Sequence, residues 1–182
     1  MFSINTLKKI LILIFICQLY TPTFAASKEE IDIKIDAAID RFQAEVESAE
    51  KFLNRAKGVL IFPEVIKAGF GIGAEYGEGA LRIAGRSVDY YNTASASIGF
   101  QLGAQIKTII LVFLDDDALD EFRNSSNWEA GVDGSVAVVE FGAGKDLTTT
   151  SFDEPIVGFV INNKGLMYNL TLEGTKITKL NK

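Results

Sequence analysis

Residues 67–79 read KAGFGIGAEYGEG and residues 93–105 read TASASIGFQLGAQ. Gly69, Gly71, Gly73, Gly77 and Gly79 fall on alternate positions of the first stretch. Ser95, Ser97, Gly99 and Gly103 do so in the second, and Gly131, Gly134, Gly142 and Gly144 form a looser echo. Period two is the strand period, so each set is expected to line one face of a sheet. Glycine weakens a strand, and its repeated use marks a face that another backbone, a helix or a ligand approaches closely. Such a face carries almost no side-chain chemistry. It also permits the tight curvature that a closing sheet needs.

Working outward, Ser27 to Lys57 reads as a helix. Ile31, Ile35, Ile39, Phe42, Val46, Ala49 and Leu53 form one apolar stripe. Acids gather early (Glu29, Glu30, Asp32) and bases late (Lys51, Arg55, Lys57), as the helix dipole favours, and Gly58 is the expected C-cap. The stripe fits a helix laid on the core; the alternative is a membrane-surface or partner helix.

After it come short apolar strands: Val59 to Phe62, ended by Pro63; Ala80 to Ala84, with a turn near Gly85-Arg86; Val88 to Ser97; and Thr108 to Leu114. Asp115-Asp116-Asp117 stops that last strand and supplies the N-cap of a short helix through Ala118, Leu119 and Phe122. Strands are expected at 132–141, 148–152, 156–161, 166–173 and 176–180, with a hairpin turn at 162–165. One helix followed by many strands predicts an α+β fold. An N-terminal amphipathic helix packs on a strongly curled, largely antiparallel, glycine-rich sheet or partly closed barrel.

The chain has 182 residues, enough for one domain with a proper core. Lys8 and Lys9, the short apolar run Ile10 to Leu19, and Thr23-Phe24-Ala25 read as a secretory signal cleaved near Ala25. Residues 26–57 then form the helical segment and 58–182 the β-rich domain. The expected location is the periplasm or cell envelope of a bacterium. The processed chain loses Cys17, its one cysteine, and keeps 16 basic against 24 acidic residues, a formal charge of −8. An acidic chain without a basic block argues against nucleic acid as a partner.

There is no histidine, so the commonest general base and metal ligand is missing. Gly69 to Ala74 can be aligned with a dinucleotide fingerprint, but that needs a helix to follow, and Gly77 and Gly79 oppose one. The three adjacent aspartates lack the spacing of a calcium loop. Asp133 and Glu140 are carboxylates that no pattern pairs. Ser95, Ser97, Lys107 and Lys145 leave a serine–lysine arrangement open. No catalytic residue, metal or cofactor is assigned, and the chain is read as non-enzymatic.

Several ordered phrases resemble the SYLF domain. They are Ala56-Lys57-Gly58-Val59, Phe62-Pro63, Lys67 through Gly73, Tyr76-Gly77-Glu78-Gly79, Tyr91 through Ser97, and Gly99 through Gln105. Phe122-Arg123-Asn124-Ser125, Trp128 through Ser135 and Asn163 through Asn169 complete the set. The resemblance spans about Arg55 to Lys182 and is nearest to stand-alone secreted bacterial members. It implies binding of phosphoinositides and other acidic lipids, with actin regulation in some eukaryotic members. It also implies a part for the N-terminal segment, here Ile31 to Lys57, in meeting membranes. The expected function is an exported module for acidic phospholipid headgroups or membrane surfaces. Candidate contacts are Lys51, Arg55, Lys57, Lys67, Arg82 and Arg86. The alternative is an envelope structural protein that binds a protein partner through its glycine-rich sheet.

Overall fold

A computed structural model describes residues 26–139, 153–162, 165–166, 172 and 174–182, with backbone alone at 69–72, 97–104 and 165–166. The signal segment and the strand expected at 148–152 lie outside these residues, as do the turn residues 163–164 and most of 167–173.

The Ser27 hydroxyl accepts from the Glu30 N–H at 3.1 Å and starts α1 (Lys28–Glu45). Ile31, Ile35, Ala38 and Phe42 are its buried stripe. The single helix expected to Lys57 is in fact two. Val46 turns extended, and α2 (Ala49–Arg55) follows as a separate short helix. The break lets Val46, Ala49 and Phe52 all reach the core. Gly58 does not cap the helix; Ala56 does, and Gly58 opens a strand.

The short strands expected after it are two very long ones, β1 (Gly58–Ile83) and β2 (Arg86–Phe113). They pair antiparallel through a tight turn at Ala84 (φ 49) and Gly85 (φ 77), the positive-φ pair that suits a two-residue hairpin. Pro63 does not end β1. It sits at a bulge, where the register shifts between Phe62 and Val65. Then come α3 (Asp116–Asn124), β3 (Asn127–Glu129), β4 (Ala137–Val139), β5 (Ile156–Asn162), β6 (Gly165–Leu166) and β7 (Lys176–Leu180). Asp115 caps α3 by accepting from the Ala118 N–H at 3.0 Å.

Of the strand expected at 132–141, the described residues form β4 from Ala137, and 140–141 lie outside them. Gly131 (φ 84) closes a turn on Gly134, and Val132 is exposed. The third glycine echo therefore marks a turn where it is described. Gly134 also lies against the indole of Trp128, which packs edge-on to Phe122 of α3 at 5.6 Å.

The described sheet is 7-stranded in the order β3-β7-β2-β5-β4, with β1 on β2 and β6 on β5. All pairs are antiparallel except β4 with β5. The fold is α+β, and the sheet curls into a half-barrel.

A straight strand of 26 residues would run about 86 Å at ~3.3 Å per residue. That far exceeds the radius of gyration of about 15 Å expected for a compact chain of roughly 150 residues. β1 resolves this by folding over itself. A Cβ on Gly79 would lie 2.0 Å from the Ile61 carbonyl oxygen, and one on Gly77 would lie 2.7 Å from that of Glu64. The approaching backbone that the glycines imply is the strand's own first limb.

The fold-over separates two cores. Inside the curl, Leu60, Phe62, Val65, Leu81, Tyr91, Ile109, Leu111 and Phe113 meet Phe122 and Trp128. On the outer face, Val59, Ile61, Ala80, Tyr90, Ile110, Val112 and Phe159 are covered by α1 and α2. Phe159 stacks between Phe42 at 4.7 Å and Phe52 at 5.1 Å. β5 serves both cores and is buried along nearly its whole length.

Gly79→Ala is expected to lower stability by about 1–3 kcal/mol or more in urea unfolding. Ala74→Ser, on an exposed position, should stay within about 0.5 kcal/mol of the parent. Equal midpoints for the two variants would contradict the crossing.

A second expectation concerns alkaline pH. Burial pushes the Tyr91 phenol up to about 12, and burial with the Glu78 carboxylate does the same for Tyr76. An unfolded phenol ionises near 10. Their contribution is therefore whole below about pH 10 and is lost as pH rises through 12. The Tyr91 hydroxyl is buried without a hydrogen-bond partner among the described residues. Tyr91→Phe should accordingly be neutral or stabilising by about 1 kcal/mol at pH 7. It should also flatten the fall in stability between pH 10 and 12, as read by denaturation across that range.

Candidate membrane-binding site

The crossing leaves the middle of the β1–β2 ribbon as a folded apex. β5 pairs with β2 at 107–113 and β7 pairs with it at 90–94. Between them, 95–106 pairs only with β1 among the described residues. Among the described residues the apex is thus two strands wide. β1 bends on the inside and β2 on the outside: the step from Gly69 to Gly71 on β1 is matched by the step from Gly103 to Gly99 on β2. The outer strand takes the longer path.

Alternation then sorts the residues by face. Lys67 and Glu75 share the concave face with Gly77 and Gly79. Ile66, Ala68, Ala74 and Tyr76 point the other way, with Ile106, Ala96 and Ala94 as their register partners on β2. That convex face continues the one that α1 and α2 cover elsewhere, but here nothing described covers it. Ile66 is 51% exposed and its partner Ile106 58%; Tyr76 is 50% exposed. The Tyr76 hydroxyl donates to Glu78 at 2.9 Å.

On the concave side, Glu75 bridges the two limbs of the bend. Lys107 reaches its Oε2 at 2.6 Å and Lys67 its Oε1 at 3.5 Å. The Lys107 and Glu75 side chains are each only 11% exposed. Two ammonium groups share one carboxylate, so this bend carries one net positive charge in an acidic chain.

The six candidate bases do not form one patch. Lys51 and Arg55 are exposed on α2, and Arg86 is exposed beside the hairpin turn. Lys57 donates to Asp116 at 2.7 Å, and that hydrogen bond raises its pKa above the usual lysine value. Lys67 belongs to the Glu75 bridge. Arg82 is 13% exposed and serves as a clamp: it donates to Asp36 at 2.6 Å, to the Asp32 carbonyl at 3.3 Å and to Ser87 at 3.4 Å. Asp32 also accepts from Ser87 at 2.6 Å and from Tyr90 at 3.0 Å. Burial and that carboxylate raise the Tyr90 pKa.

Sequence reasoning named Lys67 but missed its setting. The Ile66–Ile106 pair and the Glu75 bridge appear only once the register of the folded ribbon is known. The signal available was the set of bulky residues alternating with the glycines.

The remaining candidates for chemistry are placed apart from this bend or within secondary structure where they are described. Gly69 to Ala74 lie within a strand, so no helix N-terminus follows them. Asp133 accepts from the Glu129 N–H at 2.7 Å within its turn. Ser95 is the register partner of Glu75, while Glu140 and Lys145 lie outside the described residues. No group of three or more His, Cys, Asp or Glu among the described residues is placed to hold a metal. No helix there is long and apolar enough to cross a membrane.

Residues 94–182 match a family model described as Ysc84, Las17-binding protein actin regulator. Over that span the chain belongs to the Ysc84, or SYLF, family. The family is linked to lipid binding and actin regulation and is not a known enzyme family. No curated protein matches the chain. The SYLF segment begins at Ala94 and so takes in the β2 half of the apex, α3 and every later strand.

Arg82→Ala is expected to destabilise the SYLF fold by about 1–3 kcal/mol, since it strips a part-buried clamp from α1. Arg86→Ala should stay within about 0.5 kcal/mol in the same chemical denaturation. A harmless Arg82→Ala would free that side chain for a ligand role.

Proposed function

We propose that this SYLF protein is a non-enzymatic module that docks on membranes and recognises acidic phospholipid headgroups. The observation that carries this reading is the match of residues 94–182 to a family linked to lipid binding. The exposed bases Lys51, Arg55 and Arg86 can approach headgroup phosphates, and Lys67 stands beside an uncovered apolar face. Lys57 can join them while it remains paired with Asp116. Arg82, held by α1, contributes to the fold that presents the others.

The α1 stripe is packed on the sheet, so the helix is not the element offered to the bilayer. The signal-like residues 1–25 support export to the periplasm or envelope of a bacterium, with cleavage near Ala25. An exported protein does not meet cytoplasmic actin, so lipid binding is the family property carried over.

The processed protein is expected to sediment with phosphatidylcholine vesicles that contain phosphatidylglycerol, and not with phosphatidylcholine alone. Binding should weaken as salt is raised, because screening removes the headgroup attraction. Absence of lipid-dependent pelleting at low salt would sink this reading.

A further inference from the structure

We infer that the folded apex of the β1–β2 ribbon is a wedge that inserts into the interfacial layer of an anionic bilayer, with Lys67 at the level of the phosphates. The inference deepens the lipid-binding reading and rests on it.

Three observations point to a lipid surface as the occupant. First, the paired segments at the tip of the apex, 68–74 and 96–104, contain no ionisable residue; Lys67 and Glu75 stand at their two ends. Next to this tip on the convex face, Ile66 and Ile106 are directly opposed across the ribbon and each is more than half exposed. Isoleucines left in water at neighbouring positions on an otherwise well-packed fold call for a cover.

Second, charge is complementary. Lys67 and Lys107 share Glu75 at the root of the apex, a local positive excess in a chain of formal charge −6. Lysine stems can run along apolar surface while the ammonium stays in the headgroup layer. Third, Tyr76 stands at the same root with its ring half exposed and its hydroxyl bonded to Glu78. An aromatic ring with one apolar and one polar end suits the membrane–water boundary.

Depth is limited by the backbone. The outer edge of β2 at 95–106 is unpaired among the described residues, and unpaired amides are not tolerated in the hydrocarbon core. The wedge therefore reaches the headgroup–acyl boundary, about 5–10 Å in, and does not span.

The test uses the processed protein with phosphatidylcholine–phosphatidylglycerol vesicles. The single tryptophan, Trp128, is buried in the core, so a second one introduced as Tyr76→Trp reports on the apex. Its emission should shift to the blue on binding and be quenched by lipids brominated near the top of the acyl chains. Ile66→Glu with Ile106→Glu should weaken vesicle affinity about tenfold or more with an unchanged circular dichroism spectrum. Should that pair disturb folding, Ile66→Ser with Ile106→Ser gives the same test without new charge.

Unchanged affinity of the double variant, together with unquenched emission, would overturn the wedge while leaving lipid binding intact. Failure of the parent protein to bind any vesicle would overturn both. Light scattering that shows a dimer, dissolved by the double variant without any lipid affinity, would assign the face to a second copy and also overturn the wedge.

Discussion

The contact on which the rest of the molecule depends is the crossing of β1 over itself. Gly79 lies on the Ile61 carbonyl and Gly77 on that of Glu64, at separations no Cβ could occupy. A two-stranded ribbon on its own has two faces and one pair of edges in water, and is marginal. The crossing gives it an inside. Leu60, Phe62 and Val65 of the first limb face Leu81 and Tyr91 of the second region, and α3 closes the end with Leu119 and Phe122. A single glycine-sized gap sets how closely the limbs approach, and hence whether that inside is filled at all.

The acidic face of α1 holds the crossing in place. Lys34 of α1 reaches Glu64 on the first limb at 2.8 Å. Two residues to either side of Lys34, Asp36 and Asp32 take Arg82, Ser87 and Tyr90 around the hairpin turn of the second limb. The helix thus fastens both ends of the folded strand while its apolar stripe covers the outer face between them. The exposed Lys34 pair contributes little by itself. The Arg82 network is part-buried and hydrogen-bonded on several sides, the setting in which charged contacts count. Of the early acids of the helix, Asp32 is accounted for by this internal duty, while Glu29 and Glu30 stay exposed.

Much of this was legible in the sequence, and what was not has a physical reason. The stripe Ile31, Ile35, Phe42 announces a helix on a core, and Asp115 announces the start of α3. The alternating glycines announce a close backbone approach. The continuity of β1 and β2 was hidden, because Pro63 and the glycines lower strand propensity locally, while a long antiparallel ladder with bulges tolerates both. The break at Val46 was hidden because the apolar period runs on through it. The strand expected from Val132 failed because two glycines turn the chain at 131–134. The site was the least legible part. Charges were visible one by one, but whether a base is free or engaged depends on partners far away in sequence. Arg82 and Asp36 are 46 residues apart, and Lys107 and Glu75 are 32 apart.

The crossing also explains why the apex can carry a function at all. A strand bent this sharply must be small on its inner face, and alternation hands every remaining position to the outer one. The fold dictates glycine at 77 and 79, but it dictates nothing about the identity of residues 66, 76 and 106. Threonine or lysine would serve the strand there and would be solvated without penalty. The exterior positions of α1 show what this chain does with a face meant for water: Glu29, Glu30 and Asp40 are exposed there, and Ile33 is a lone exposed isoleucine among them. At the apex the outer positions are Ile66, Ala68, Ala74, Tyr76 and Ile106 instead. The same alternation that makes the bend possible therefore separates two requirements. The inner face answers to the fold, and the outer face answers to whatever the ribbon meets.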